Sequence, residues 1–270
     1  MIDRSEELVT VFGGSGFIGR YVCELLMKSG VRVRVATRDP RNSYFIQPLG
    51  QVGQFGFIKA DITDADGVKR AVDGASAVVN LCGVFGRAMQ GVHVEGARNL
   101  AEAAKKAGAE ALVHVSAIGA DPNSASNYGR TKGEGELAVR KAFPKATIVR
   151  PSLVFGPEDN LTNRFAGLAR LPILPVIAAN RNFQPVYVRD LAKAIAKAAL
   201  DPQAHGWSPP QREKRIPFKG LDLSGGGSLS LTPVKRRAFI SCVEVHPDRA
   251  IDPGAISASF ARILIRRGQG

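Results

Sequence analysis

The sequence predicts an α/β fold: a doubly wound parallel sheet followed by a short, poorly specified C-terminal tail. Three observations carry this reading. Between residues 8 and 200, short β-branched runs alternate with longer stretches of helical period. A glycine-rich turn joins the first run to the first helical stretch, which is the Rossmann-type arrangement. From about residue 205 the periodicity is lost.

The strands are expected in order. Leu8–Phe12 reads as buried, and 31–36 alternates apolar and basic residues. Runs at 57–60, 77–81, 111–115 and 146–150 follow. Helices are expected between them. Ile18, Val22, Leu25 and Leu26 share one face of a helix that Gly30 stops. Further helical stretches cover 64–72, 92–107, 128–142 and 191–199. Alternating elements make βαβ units, and right-handed crossovers then place helices on both faces of a parallel sheet. Residues 1–204 form the nucleotide-binding domain in this reading. Residues 205–270 are a separate basic tail rich in Pro, Gly, Ser and Arg, with one candidate strand at 239–245 and one candidate helix at 255–266. That texture points to a divergent C-terminus or a shifted reading frame.

Composition bounds the function. The chain has 270 residues, 44% hydrophobic and 23% charged, as an ordinary globular protein does. No apolar run approaches the roughly 20 residues that cross a bilayer. The start, Met1 to Glu7, is polar and mixed in charge, unlike a secretory or organelle leader. A cytoplasmic location is expected. Cys23, Cys82 and Cys242 are far apart, and the four histidines are scattered, so free thiols and no metal site are expected. The net charge is +13, of which the tail supplies +6 (eleven Lys or Arg against five Asp or Glu). The excess forms no single run and aromatics are scarce, so no nucleic-acid partner is expected.

The turn reads Gly13-Gly14-Ser15-Gly16-Phe17-Ile18-Gly19. Gly13 can take a positive φ, Gly16 lets a pyrophosphate approach the backbone, and Gly19 lets the helix pack close to the sheet. Free N–H groups at the helix start, around Phe17 and Ile18, suit the phosphates. The pattern lies between a strand and a helix, which raises it above a merely structural turn. At the end of the second strand, Arg38 is placed to pair with a 2′-phosphate, favouring NADPH over NADH. A one-residue slip would put Asp39 at the ribose instead. Asp61 and Ile62 follow the third strand; they either border the adenine or Asp61 caps the next helix.

Four further segments give the chain a family resemblance. They are Asn80-Leu81-Cys82-Gly83, the stretch from Gly96 to Ala104, Tyr128-x-x-x-Lys132, and Arg150-Pro151-Ser152-Leu153-Val154-Phe155-Gly156-Pro157. Together with the glycine turn they resemble the short-chain dehydrogenase/reductase superfamily, in its extended and atypical branches. The resemblance implies that Leu81, Gly83 and Pro151 border the cofactor and that Tyr128 and Lys132 face it. Residues i and i+4 share a helix face. An ammonium there would lower the phenol's pKa and ready Tyr128 to protonate a carbonyl. The plain alternative is a helix-start tyrosine and a solvated lysine. Active members of the superfamily also carry a hydroxyl at the end of the fifth strand. Here Ser116 precedes that place, and Ala117 and Ile118 occupy it. Whether Ser116 faces the site depends on strand alternation; Ser124 or Ser126 could stand in.

The segments Val154-Phe155-Gly156-Pro157-Glu158-Asp159-Asn160 and Gln184-Pro185-Val186-Tyr187-Val188-Arg189-Asp190 narrow the resemblance over about residues 7 to 204. They resemble bacterial relatives of the alpha-subcomplex subunit 9 family of respiratory complex I. This implies a tightly held NADPH in a structural role, complex I subunits as partners, and a place on the cytoplasmic face of the inner membrane. The competing expectation is an NADPH-dependent oxidoreductase on a quinone-, sterol- or sugar-like carbonyl. A redox-sensing regulator is a third.

Overall fold

In a computed structural model of the chain, residues 4–160, 162–164 and 185–201 are described. The tail, with its candidate strand and helix, lies outside the described residues.

Six strands form one parallel sheet. They are β1 (Leu8–Phe12), β2 (Arg32–Thr37), β3 (Phe55–Lys59), β4 (Ala77–Asn80), β5 (Ala111–Val115) and β6 (Thr147–Val149), in the order β3-β2-β1-β4-β5-β6. The order reverses at β1, so the crevice lies beyond the C-terminal ends of β1 and β4. Helices cover both faces. On one side α1 (Phe17–Lys28) and α5 (Val188–Leu200) bury Val22, Leu26, Leu191 and Ile195 against Val9, Val11 and Val113. On the other, α2 (Ala65–Val72), α3 (Ala97–Lys106) and α4 (Asn127–Ala142) cover Phe12, Val78, Leu112 and Ile148. Alternate residues of a strand thus enter opposite cores. Both faces being buried explains why the central strands read as nearly continuous apolar runs.

Arg34 interrupts that pattern in β2. Its guanidinium donates to the carbonyl oxygens of Ala71 (3.0 Å) and Asp73 (2.6 Å). It closes the C-terminal end of α2, where carbonyls lack helical partners. The alternation read from sequence therefore marks a capping contact.

Three features depart from the sequence reading. A 3₁₀ segment, Arg41–Leu49, follows β2. The stretch expected as one helix over 92–107 begins as a π-helical turn, Gly91–Gly96, before α3. A second, two-stranded parallel sheet pairs β7 (Val154–Phe155) with β8 (Val186–Tyr187). Each of these strands has only two residues, too short for periodicity to register.

Glu136 of α4 is buried and meets Arg150, just after β6, through two hydrogen bonds of 2.8 and 2.5 Å. Arg140 lies 3.8 Å from the same carboxylate. The pair ties α4 to the sheet edge. Removing Arg150 would leave the buried carboxylate with only the longer contact to Arg140. Arg150→Met is expected to lower stability by about 3 kcal/mol in urea unfolding; an unchanged midpoint would show that the pair is dispensable.

Candidate functional site

The glycine turn sits at the C-terminal end of β1. Gly13 has a φ of 76° and its carbonyl accepts the Gly16 N–H at 3.0 Å. A side chain at Gly19 would clash with the carbonyl oxygens of Gly13 and Gly14. Only glycine lets α1 start this close to β1. The first turn of α1 closes with Arg20 N–H to the Gly16 carbonyl at 3.2 Å. The N–H groups of Phe17, Ile18 and Gly19 therefore have no helical acceptor. The side chains of Phe17 and Ile18 pack against the core, which leaves their backbone for a ligand.

The other strand ends converge on this turn. A Cβ at Gly13 would lie 3.2 Å from the Leu81 carbonyl carbon, so the chain leaving β4 passes directly over the glycines. Arg38, exposed at the end of β2, lowers the pKa of Asp61 through its charge, after the larger effect of hydrogen bonds from Thr63. Asp61 accepts both the N–H (2.9 Å) and the hydroxyl (2.7 Å) of Thr63. It does not cap α2; Asp64 does, accepting the Asp66 N–H at 3.1 Å. Ile62 is buried beneath Gly96, where a Cβ would sit 2.8 Å from its Cγ2. Only its backbone is left to border an adenine.

Lys132 is buried, 4% exposed, and its ammonium donates to the carbonyls of Val115 (3.3 Å) and Cys82 (3.5 Å). Burial pulls its pKa down to about 8. Gly83 passes over it; a Cβ there would lie 3.4 Å from Nζ. Tyr128 is stacked by Phe85 at 4.8 Å and met edge-on by His93 at 5.6 Å. The expected lowering of its pKa is not what this arrangement gives. Burial raises the phenol instead, because desolvation opposes the phenolate.

Ser116 extends the β5 ladder, its N–H donating to Val149 at 2.8 Å. It alternates with Leu112 and His114 and so faces the layer that contains α4. Its hydroxyl is buried with no hydrogen-bond partner among the described residues. Ser124 and Ser126 serve the turn into α4 instead: the Ser124 oxygen accepts the Ser126 N–H at 3.3 Å, and a Cβ at Gly129 would lie 2.7 Å from it. Pro151 is buried and its carbonyl accepts the Ile118 N–H at 2.9 Å, joining the ends of β5 and β6.

The sequence reading assigns no role to His93, Thr131 or Phe85, and quotes Glu158 only as part of the segment 154–160. Glu158 accepts the Tyr21 hydroxyl at 2.6 Å and lies 3.7 Å from Arg20. Burial, then this carboxylate, pushes the Tyr21 phenol up to about 12. The loop after β7 is thereby tied to α1. Gly156 packs there as well, where a Cβ would meet Val188 at 2.6 Å and Phe17 at 3.1 Å. Among the described residues no cluster of potential ligands could hold a metal ion.

A glycine cradle, open helix N–H groups and a buried ammonium beside the β4 loop fit a dinucleotide. Residues 9–207 match the NAD dependent epimerase/dehydratase family. The chain belongs to that family. Membership implies binding of a nicotinamide cofactor. Over 206 residues the chain is 37% identical to NADH dehydrogenase (ubiquinone) 1 alpha subcomplex subunit 9 of Mus musculus, covering 74% of this chain and 55% of that protein. It is 34% identical over 208 residues to the ceramide reductase of Caulobacter vibrioides, covering 75% and 64%. The chain spans about half the length of the curated subunit 9 relatives it matches. Among solved structures, Pen from Bacillus thuringiensis superposes with a TM-score of 0.65 at 19% identity, over 73% of this chain and 67% of that one. Vestitone reductase from alfalfa gives 0.58 at 18% identity, over 72% and 73%. These two share the fold. No described helix is long and apolar enough to cross a membrane.

Two outcomes are expected of this family member. Gly19→Ala should cost about 1–3 kcal/mol or more by overpacking, read as a fall in Tm and a loss of nucleotide binding. An unchanged Tm would mean that the turn can open. The second concerns acid. Burial, then the Lys132 charge, pushes His93 down to about 4 and His114 down to about 3, from the ordinary 6.5. The unfolded chain takes up these protons below 6.5 while the fold refuses them. Stability should fall as pH drops from 6.5 toward 4. A Tm that is flat across that window would contradict neutral, buried imidazoles.

Proposed function

We propose that this chain holds NADPH as a retained group and acts as an accessory or assembly subunit of respiratory complex I, in the cytoplasm or on the cytoplasmic face of the inner membrane. Residues 1–204 form the holding domain in this reading and 205–270 a separate tail. The observation that carries it is the uncoupling of Tyr128 from Lys132. The ammonium is held by two backbone carbonyls, and the phenol is packed between Phe85 and His93 with its pKa raised. A phenol in that state is a poor acid for a reduction. The hydroxyl that would polarise a carbonyl is also missing from positions 117 and 118. The subunit 9 relatives supply the partner.

NADPH is favoured over NADH by the two side chains at the ribose end. Arg38 is exposed, and one Asp39 oxygen accepts the Arg41 N–H at 3.0 Å, turning that carboxylate into its own loop. A charge-assisted hydrogen bond contributes about 1.5–3 kcal/mol, so Arg38→Ala should weaken NADPH about 10- to 100-fold and leave NADH nearly unchanged. Equal losses for both would move the 2′-phosphate elsewhere.

The second reading, reduction of a carbonyl, is favoured by the ceramide reductase relative and by the preserved pair Tyr128 and Lys132. The nicotinamide would supply hydride; Lys132 would hold its ribose and Tyr128 would give the proton. A pull-down from mildly solubilised membranes, paired with NADPH consumption on a panel of quinones and ketolipids, separates the two. Recovery with complex I subunits and no turnover is expected. Steady turnover abolished by Tyr128→Phe would establish the enzyme.

A further inference from the structure

His93 spans two walls of the nucleotide seat. It lies in the π-helical turn, Gly91–Gly96, that precedes α3. Its Nε2 is 3.1 Å from the Val84 nitrogen. A backbone N–H can only donate, so Nε2 accepts and carries no proton. The proton of the neutral ring is then on Nδ1, which donates to the Thr131 hydroxyl oxygen at 3.0 Å. The Thr131 hydroxyl donates in turn to the Tyr128 carbonyl at 3.3 Å. One imidazole thus joins the loop after β4 to the first turn of α4.

The contacts around Tyr128 close a ring. Val84 is held by His93, the next residue, Phe85, stacks on Tyr128, and His93 meets the same tyrosine edge-on. Phe85 is 81% exposed, so burial alone does not fix it. The π turn packs directly against α4 at His93. A side chain at Gly135 of α4 would clash with the His93 carbonyl. A π turn widens a helix by one residue, and here that extra residue aims the imidazole at the site.

A buried histidine with both nitrogens satisfied is usually a core residue. His93 differs in what it binds. Its partner is the amide of a loop whose other residues, Leu81 and Gly83, cross Gly13 and Lys132. We propose that His93 is the positioning residue for the loop 81–86, holding the Val84 amide so that the wall beside Lys132 is built before a nucleotide arrives. This rests on the nicotinamide seat and holds under either function proposed above.

The test uses the full chain and two readouts: hydrogen exchange at the Val84 and Phe85 amides without ligand, and the Kd for NADPH by fluorescence titration. His93→Leu removes the acceptor at similar volume; His93→Gln keeps one. Loss of a single neutral hydrogen bond should speed Val84 exchange and raise the NADPH Kd about tenfold in the Leu variant. The Gln variant should stay within about threefold of the wild type, because its carbonyl replaces the acceptor. Unchanged exchange in the Leu variant, or a Gln variant that behaves like it, overturns the proposal. Should the Leu variant not fold, Thr131→Val frees Nδ1 while leaving the ring in place, and faster Val84 exchange is again required. If the wild type shows no NADPH binding while Val84 exchange responds as expected, the cofactor reading fails and the role of His93 stands.

Discussion

The contact of Gly19 with the carbonyl oxygens of Gly13 and Gly14 sets the rest of the molecule. It lets α1 begin directly above the end of β1 and points the free N–H groups of Phe17 and Ile18 into the crevice. The crevice itself follows from topology. Strand order reverses at β1, so the chain leaving β4 passes over the glycines at Leu81 instead of running away from them. The glycine turn, Arg38 and Leu81 all lie at the end of a strand or the start of a helix in this one layer.

Lys132 is the second constraint. An ammonium this buried is costly unless its donors are met, and here two backbone carbonyls accept from two of the three. Those carbonyls belong to the ends of β4 and β5, so the lysine also fastens α4 to the sheet. The buried Glu136 and Arg150 fasten the same helix one turn further along. A helix anchored twice by charge can hold Tyr128 still without drawing on its hydroxyl. The aromatic packing of Phe85 and His93 completes that hold.

Much of this was legible in the sequence. The glycine spacing, the parallel order and the i, i+4 pair of Tyr128 and Lys132 are local patterns that periodicity and helix geometry report directly. Arg34 was visible as an alternating basic residue but not as a cap, because its partners at the end of α2 lie 37 and 39 residues away. His93 was invisible for a related reason. A helical reading over 92–107 assumes a regular turn, and the π turn at Gly91–Gly96 rotates the ring into the site. The two residues of β7 and of β8 are too few to show a period. The pKa of Tyr128 is not legible from the i, i+4 spacing, because adjacency on a helix does not say where an ammonium's protons go. In the fold they go to Cys82 and Val115.

Tyr128 is held by aromatic packing against Phe85 and His93, and burial raises its phenol. A pH titration of the Tyr128 phenol in the full chain, by NMR of ring-labelled tyrosine, tests this. A phenol that stays protonated through its ordinary value of 10.0 is the expected result. Ionisation below that value would contradict the account, because it would place the Lys132 charge at the hydroxyl and give the site its acid.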